Sequence, residues 1–402
     1  MRVLFLTHRL PYAPNRGDRV RAFHIVRELV TRGCTVDVVS LVHDAKELAQ
    51  VGRVRELGAD ATAVHVPRMR NYASGAVALA GTQPLTHVLL DAPQFGDAVR
   101  RIVQSREPDV VLAYCSSMAR FALEPPLASY PLVLDLVDVD SHKWKAMADG
   151  ASRPKRWIYQ REVRYLSQFE RLAATRACAT LVVNEREAET LHALAPEAAV
   201  HVVPVGVDVA AFQPRHAPTE APRVVFCGVM NYAPNVEGVV WFVRDVWPLV
   251  RARRPDAIFT IVGSNPTSAV ARLASPSAGV EVTGEVTSVQ PYLWDAAVAV
   301  APLLTARGVQ TKVLEAVVAG LPAIVTRAVH DGLPAEIYPA CRVADTPAAF
   351  ADETIALLNM SGPERRRAAT IADARVLDWP SRLAPLYGIL ADAVATKVPV
   401  RS

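Results

Sequence analysis

One stretch of the sequence concentrates groups that can hold an anion: Ala301-Pro302-Leu303-Leu304-Thr305-Ala306-Arg307-Gly308-Val309-Gln310-Thr311-Lys312-Val313-Leu314-Glu315, closing on Ala319-Gly320-Leu321-Pro322. Its apolar start reads as a buried strand, its middle as a glycine-bearing loop, and its end as a short helix stopped by Gly320, the residue type that a left-handed C-terminal cap requires. Unpaired N–H groups at such a helix start attract anions, and Gly308 lets a ligand approach the main chain closely. Lys312, Glu315 and Ala319 fall at i, i+3 and i+7 and share one face, while Val313, Leu314, Val317 and Val318 turn to the core. The expected result is one cation and one carboxylate beside a phosphate-ready helix terminus. The alternative is a solvated Lys–Glu pair, which contributes only about 0–1 kcal/mol. Only six of the 44 basic residues are lysine, so a lysine in this apolar setting stands out.

Two other loops follow buried strands. Thr7-His8-Arg9-Leu10-Pro11-Tyr12-Ala13-Pro14-Asn15-Arg16-Gly17-Asp18 is proline-rich and enters a helix near Asp18, where Arg19 and Arg21 are either solvated helix residues or part of a site. Leu132-Val133-Leu134-Asp135-Leu136-Val137-Asp138-Val139-Asp140-Ser141-His142 ends a strand in three alternating acids, which can act as a base toward a hydroxyl or orient a polar substrate. Asn231 and Asn235 can hydrogen-bond a phosphate or sugar, or cap the helix that starts near Asn235; Asn184 with Glu187 reads as a helix cap. Neither the G-x-G-x-x-G dinucleotide fingerprint nor a Walker A sequence is present.

The elements that must position these groups are short β-branched runs alternating with longer segments of helical period, the pattern of parallel sheets covered by helices. Runs at 3–6, 36–40, 110–113, 132–134 and 181–183 make one set, and those at 224–226, 257–262, 280–282, 297–301 and 323–325 a second. The polar, proline-rich Gln213–Pro222 stretch reads as a linker between them. A chain of 402 residues, 51% hydrophobic, accommodates two such cores. The predicted division is 1–212 for the first α/β domain and 213–378 for the second, with a last helix at about 379–396 packing back on the first. Open parallel sheets bind ligands beyond the carboxyl ends of their strands, so a cleft between the domains is expected.

Five scattered cysteines argue against a disulfide framework or a zinc site and read as small buried hydrophobes. No apolar run approaches the ~20 residues that cross a bilayer, and the opening apolar residues are interrupted by His8 and Arg9; a cytoplasmic protein is expected. The net charge of +4 is unevenly placed. Lys143 to Arg176 holds nine basic residues against three acidic ones, net +6, interleaved with Trp144, Trp157, Tyr159, Tyr165 and Phe169. That composition suits an anionic membrane surface, or else a helix pair whose aromatics face the core. No helix-turn-helix, zinc or RNA-binding signature supports nucleic acid as a partner.

The Ala301–Pro322 stretch, with Val203-Pro204-Val205-Gly206-Val207-Asp208 and Phe212, resembles the retaining nucleotide-sugar glycosyltransferases of glycosyltransferase family 4. Phe226-Cys227-Gly228-Val229-Met230-Asn231-Tyr232-Ala233-Pro234-Asn235, Trp241-Phe242 and Val246-Trp247-Pro248 are similar to its exopolysaccharide branch, and within it to the sugar transferases associated with PEP-CTERM/exosortase systems. The resemblance implies a GT-B fold, α/β, with two Rossmann-like domains whose parallel sheets face each other across a cleft. It also implies transfer of a sugar from a nucleotide-diphosphate donor to a glycan or lipid-linked acceptor at the inner face of the cytoplasmic membrane, with no cofactor.

By the same resemblance Glu315 matches the second glutamate of the family's E-x7-E pattern and would bind the ribose, whereas Arg307 stands where the first is usual. The cations common in the loop after the second domain's first strand are absent, with Val229 and Glu237 in their places. We therefore expect Lys312 and Arg307 to take over the diphosphate, with Thr311, Gly308, Gly17 and Asn231 on the donor. Asp138 matches the aspartate of a family His-Asp pair, with Val137 in the histidine place, and is expected on the acceptor side. Asp138-Val139-Asp140 also spells the D-x-D metal motif of the other glycosyltransferase fold, but two successive α/β sheets imply metal-independent transfer. The missing glutamate and cations leave a non-catalytic partner subunit as an alternative, and a nucleotide-sugar 2-epimerase as another.

Overall fold

The computed structural model describes residues 1–12, 17–149, 151–306, 308–370 and 373–396. Its contacts divide the chain into two compact units, Met1–Pro204 with Arg382–Ser402, and Val205–Ser381. Each is built on one parallel sheet.

The first sheet comprises β1 (Arg2–Thr7), β2 (Thr35–Val42), β3 (Asp60–His65), β4 (Val110–Tyr114), β5 (Leu132–Val137), β6 (Ala179–Val182) and β7 (Val200–Val202), in the order β3-β2-β1-β4-β5-β6-β7. The second comprises β8 (Arg223–Cys227), β9 (Ile258–Val262), β10 (Val280–Val282), β11 (Val298–Ala301), β12 (Ala323–Val325) and β13 (Cys341–Val343), in the order β10-β9-β8-β11-β12-β13. The central strands β1, β4, β8 and β11 are the continuous apolar runs, because helices cover both their faces. The runs read from sequence omitted β3, β7 and β13. All three lie at sheet edges and have half-exposed side chains, so they lack the uninterrupted apolar signal.

The division between the units lies at 204/205 rather than the expected 212/213. Val207 donates its N–H to Leu377 O at 2.8 Å, Trp294 donates its indole N–H to Phe212 O at 3.0 Å, and Val207, Val209 and Phe212 are buried in the second unit's core. Three apolar side chains thus hold the segment before the proline-rich linker. The last helix, Trp379–Ala395, belongs to the first unit from Arg382 onward.

The five cysteines are free thiols, and Cys178 is exposed rather than buried as expected. Among the described residues no helix is long and apolar enough to cross a membrane.

Arg19 and Arg21 are not solvated. Arg19 donates to Glu47 at 3.1 Å and to the Tyr12 hydroxyl at 2.7 Å. Arg21, on the helix Gly17–Thr31, pairs with Asp135 of β5 at 2.8 Å, the two being 2% and 0% exposed. Arg21 also donates to Pro204 O at 3.0 Å. Removing one partner of such a pair strands the other charge away from water, at a cost of about 3–5 kcal/mol. Arg21→Met should lower the unfolding free energy by that amount in urea denaturation followed by circular dichroism. Arg21→Met with Asp135→Leu should recover most of it.

Candidate functional site

The second sheet reverses its strand order between β8 and β11, and in open parallel sheets such a switch point is where ligands bind. The loop after β8 is pinned to the loop after β9: Gly228 donates to Val262 O at 3.0 Å and Met230 to Ser264 O at 2.8 Å. The approach is so close that a Cβ on Gly263 would stand 1.7 Å from Gly228 O. Only glycine fits there.

From the loop after β11 rises the helix Thr311–Val318. Gly308 has φ +60° at its entry. At its exit Gly320 has φ +80° and donates to Val317 O, while Leu321 donates to Ala316 O at 3.0 Å. The left-handed cap expected at Gly320 is present, and these bonds make it a Schellman motif. With the helix fixed at both ends, Lys312 reaches across to the β8 loop. Its Nζ donates to Asn235 Oδ1 at 2.7 Å and lies 4.6 Å from the centroid of the Phe226 ring. Asn235 is buried on the helix Ala233–Trp241 and donates its own Nδ2 to Val229 O at 2.9 Å. A Cβ on Gly228 would crowd both, at 2.8 Å from Asn235 Nδ2 and 3.2 Å from Lys312 Nζ.

This setting shifts the titration of its groups. Burial lowers Lys312 to about 8 against the pull of Cys227 and Glu315. Burial raises Glu315 to about 7 against Lys312, and burial with the Glu315 charge pushes the Cys227 thiol up to about 12. A cation and a carboxylate both displaced toward neutrality, one turn apart on one helix, are groups suited to an anionic ligand carrying hydroxyls.

Of the residues expected on the donor, the structure brings Lys312, Glu315, Thr311 and Gly308 onto one loop and helix. Asn231 is exposed on the β8 loop, and the buried Asn235 is the asparagine that meets Lys312. Sequence spacing did not separate the two; the signal was Pro234, which sits in the first turn of the helix and places Asn235 inside it, next to the loop. Arg307 lies outside the described residues.

In the first unit, Gly17 opens the helix Gly17–Thr31, and Asp138 follows β5. Val137 (φ +67°) and Cys115 (φ +72°) both hold left-handed backbone at adjacent strand ends. That conformation is costly for a β-branched valine, and such strain concentrates where a side chain must be aimed. The pairing of β5 with β6 slips between Asp135 and Val137, and Asp138 N–H closes a tight turn on Leu136 O at 2.8 Å.

The three acids have separate tasks. Asp135 faces inward to Arg21, whereas Asp138 and Asp140 share the Lys143 ammonium at 3.0 and 2.9 Å. Asp140 and Asp138 hold Lys143 well above its usual value. Lys143 was hidden in the sequence by membership of a long basic segment. His142 is half-buried on the same helix, and His8, after β1, stacks on Tyr114 of β4 with centroids 5.7 Å apart. Among the described residues no three His, Cys, Asp or Glu side chains are grouped to hold a metal ion.

Comparison with known proteins places these features in a family. The family described as "Glycosyl transferases group 1" matches residues 221–360, and the "Glycosyl transferase 4-like domain" matches residues 16–206. No protein of curated function matches the sequence. Among solved structures, sucrose-phosphate synthase from Thermosynechococcus elongatus is similar over 98% of this chain and 100% of its own, at 13% identity and a TM-score of 0.67. Anabaena HepE, solved in complex with UDP, matches over 98% and 100% at 12% identity and a TM-score of 0.67. Trehalose 6-phosphate synthase from Burkholderia multivorans matches over 99% and 100% at 12% identity and a TM-score of 0.64. At such identities the likeness establishes the fold, which is GT-B. With both of its sheet-bearing halves matched by the corresponding family domains, the chain belongs to the group 1, glycosyltransferase 4-like glycosyltransferases.

Proposed function

We propose that this glycosyltransferase moves a sugar from a nucleotide-diphosphate donor to a glycan or lipid-linked acceptor of exopolysaccharide assembly, with retained anomeric configuration and without a metal ion. The observation that carries the reading is the Lys312 ammonium, held at 2.7 Å by Asn235 at the switch point of the second sheet. As the bond to the sugar breaks, negative charge grows on the diphosphate, and a fixed cation at the start of a helix stabilises it without reorganising. Glu315, one turn along the same face, accepts from the ribose hydroxyls, and Thr311 and Gly308 border the phosphates. Arg307 supplies a second cation in this reading. Structures of HepE with UDP and with UDP-glucose make a uridine diphosphate sugar the first donor to assay. Asp138, steadied by Lys143, is the acceptor-side group. Peripheral contact with an anionic membrane brings the enzyme to its acceptor.

Lys312→Met keeps the side-chain length but removes the charge. It should cut sugar transfer about 10²–10³-fold, the usual cost of one transition-state donor, with an unchanged circular dichroism spectrum; transfer at the parent rate overturns the assignment. The pH profile gives a second check. Below about 7 Glu315 takes up a proton and no longer accepts as a carboxylate; above about 8 Lys312 loses its charge. The kcat/KM for the donor should therefore be bell-shaped, with limbs near those values belonging to the coupled pair, and Glu315→Gln should remove the acid limb.

A further inference from the structure

We infer that the helix Arg68–Ala78 and the first turns of the helix Arg153–Arg176 form one surface that docks on an anionic lipid bilayer. This deepens the membrane contact proposed above and rests on that reading for its purpose, though its geometry is independent of the donor site.

The helix Arg68–Ala78 is turned inside out. Its buried residues are Asn71 and Gly75, at i and i+4. Asn71 Nδ2 donates to Leu89 O at 3.0 Å and Asp91 O at 2.8 Å, and a Cβ on Gly75 would lie 3.4 Å from the Leu89 side chain. The polar and small residues thus make the packing contact, and the apolar ones face water. Met69, Tyr72 and Val77 are 84%, 63% and 77% exposed, and the exposed Ala73 and Ala76 fill the stripe between them. Single exposed hydrophobes are ordinary, but a contiguous stripe on one helix face marks an interaction surface.

Two buried side chains join that helix to the next. Arg161 donates to the carbonyls of Leu79 at 3.0 Å, Gly81 at 2.7 Å and Gln83 at 3.1 Å, and also to Ala78. Glu162 accepts from Leu85 N at 2.6 Å, Thr86 N at 2.9 Å and the Thr86 hydroxyl at 2.7 Å. The chain following the apolar helix is therefore bolted to the helix Arg153–Arg176. Trp157, 56% exposed, stands four residues before Arg161, on the same face, and extends the surface beyond the bolt.

Charge selects the occupant. No aspartate or glutamate occurs from Val66 to Leu90 or from Ala151 to Arg161. Arg68, Arg153, Lys155 and Arg156 are exposed beside the apolar side chains. Arg70 is tied to Asp91. Cations around an apolar stripe with Trp and Tyr fit the boundary of an anionic bilayer, where the rings enter the headgroup level and the cations meet phosphate.

The test is co-sedimentation of the full chain with vesicles of phosphatidylcholine alone or of equimolar phosphatidylcholine and phosphatidylglycerol. The protein should pellet with the second only and be released by high salt. Met69→Asp with Val77→Asp should lower the bound fraction about tenfold, as should Lys155→Glu with Arg156→Glu, since both apolar insertion and charge are needed. Donor turnover on a soluble acceptor, measured in the same preparations, should be unchanged. Equal pelleting of the variants and the parent overturns the inference, as does a parent that stays in the supernatant. A parent that is dimeric in solution, with a monomeric Met69→Asp/Val77→Asp variant, would overturn it in favour of self-association. Vesicle binding without donor turnover would overturn the transferase reading alone.

Discussion

A parallel sheet ends all its strands on one side, and the loops leaving that side carry backbone amides that have left the ladder while still lying away from water. Each needs a partner. In the first unit buried carboxylates supply them. Glu47 accepts from Leu10 N at 3.2 Å and His43 N at 2.9 Å, after β1 and β2. After β5, Asp135 accepts from Val137 N at 3.1 Å, Glu187 from Val139 N at 2.8 Å and Glu170 from Ser141 N at 3.2 Å. Those alternate amides, each held by an acid from another element or from the strand itself, force the β5 loop into a single path. The left-handed backbone of Val137 survives because the surroundings over-determine it. Asp138 and Asp140, between the held residues, are left pointing to Lys143.

Such carboxylates are costly to bury, and for Glu170 this shows in its titration, which is raised to about 8 by desolvation and by the Asp140 charge. The cost is offset where the carboxylate completes a network of N–H donors or meets an arginine, as Asp135 meets Arg21. The second unit solves the same problem with side chains of another kind. Its β8 loop is closed by backbone bonds to the β9 loop and by the amide of Asn235, so that no acid competes for the Lys312 ammonium within that loop.

The alternation of apolar runs and helical segments made the two α/β sheets legible from sequence, because central parallel strands are apolar on both faces. It failed at the edges, where β3, β7 and β13 see solvent. The helix Thr311–Val318 was legible because Gly308, Lys312 and Gly320 carry geometry as well as chemistry. What could not be read were pairings between residues distant in the chain. Lys312 meets Asn235, and Arg21 meets Asp135, only after β8 has come beside β11 and the helix Gly17–Thr31 has packed on its sheet. Asn231 and Asn235 are equivalent by residue type and differ only in burial. Lys143 was one cation among nine until the fold set it between two acids.

The missing cations of the β8 loop take on a different meaning once that pairing is known. Val229 and Glu237 stand where the family resemblance leads one to expect positive charge, and read alone they suggest a site that has lost its function. Yet Lys312 Nζ ends 3.2 Å from the point where a Gly228 side chain would begin, so an ammonium occupies the β8 loop although no residue of that loop provides it. For the role proposed for Lys312 on a departing diphosphate, what counts is where a charge lies and how firmly it is held, and the element that supplies it does not matter. Delivery from the helix Thr311–Val318 has one advantage over delivery from a loop: the backbone is fixed at its far end by the Gly320 cap, and the ammonium is fixed by Asn235 and the Phe226 ring. Glycine at 228 is what leaves room for it, and the lysine and the glycine must therefore be retained or lost together.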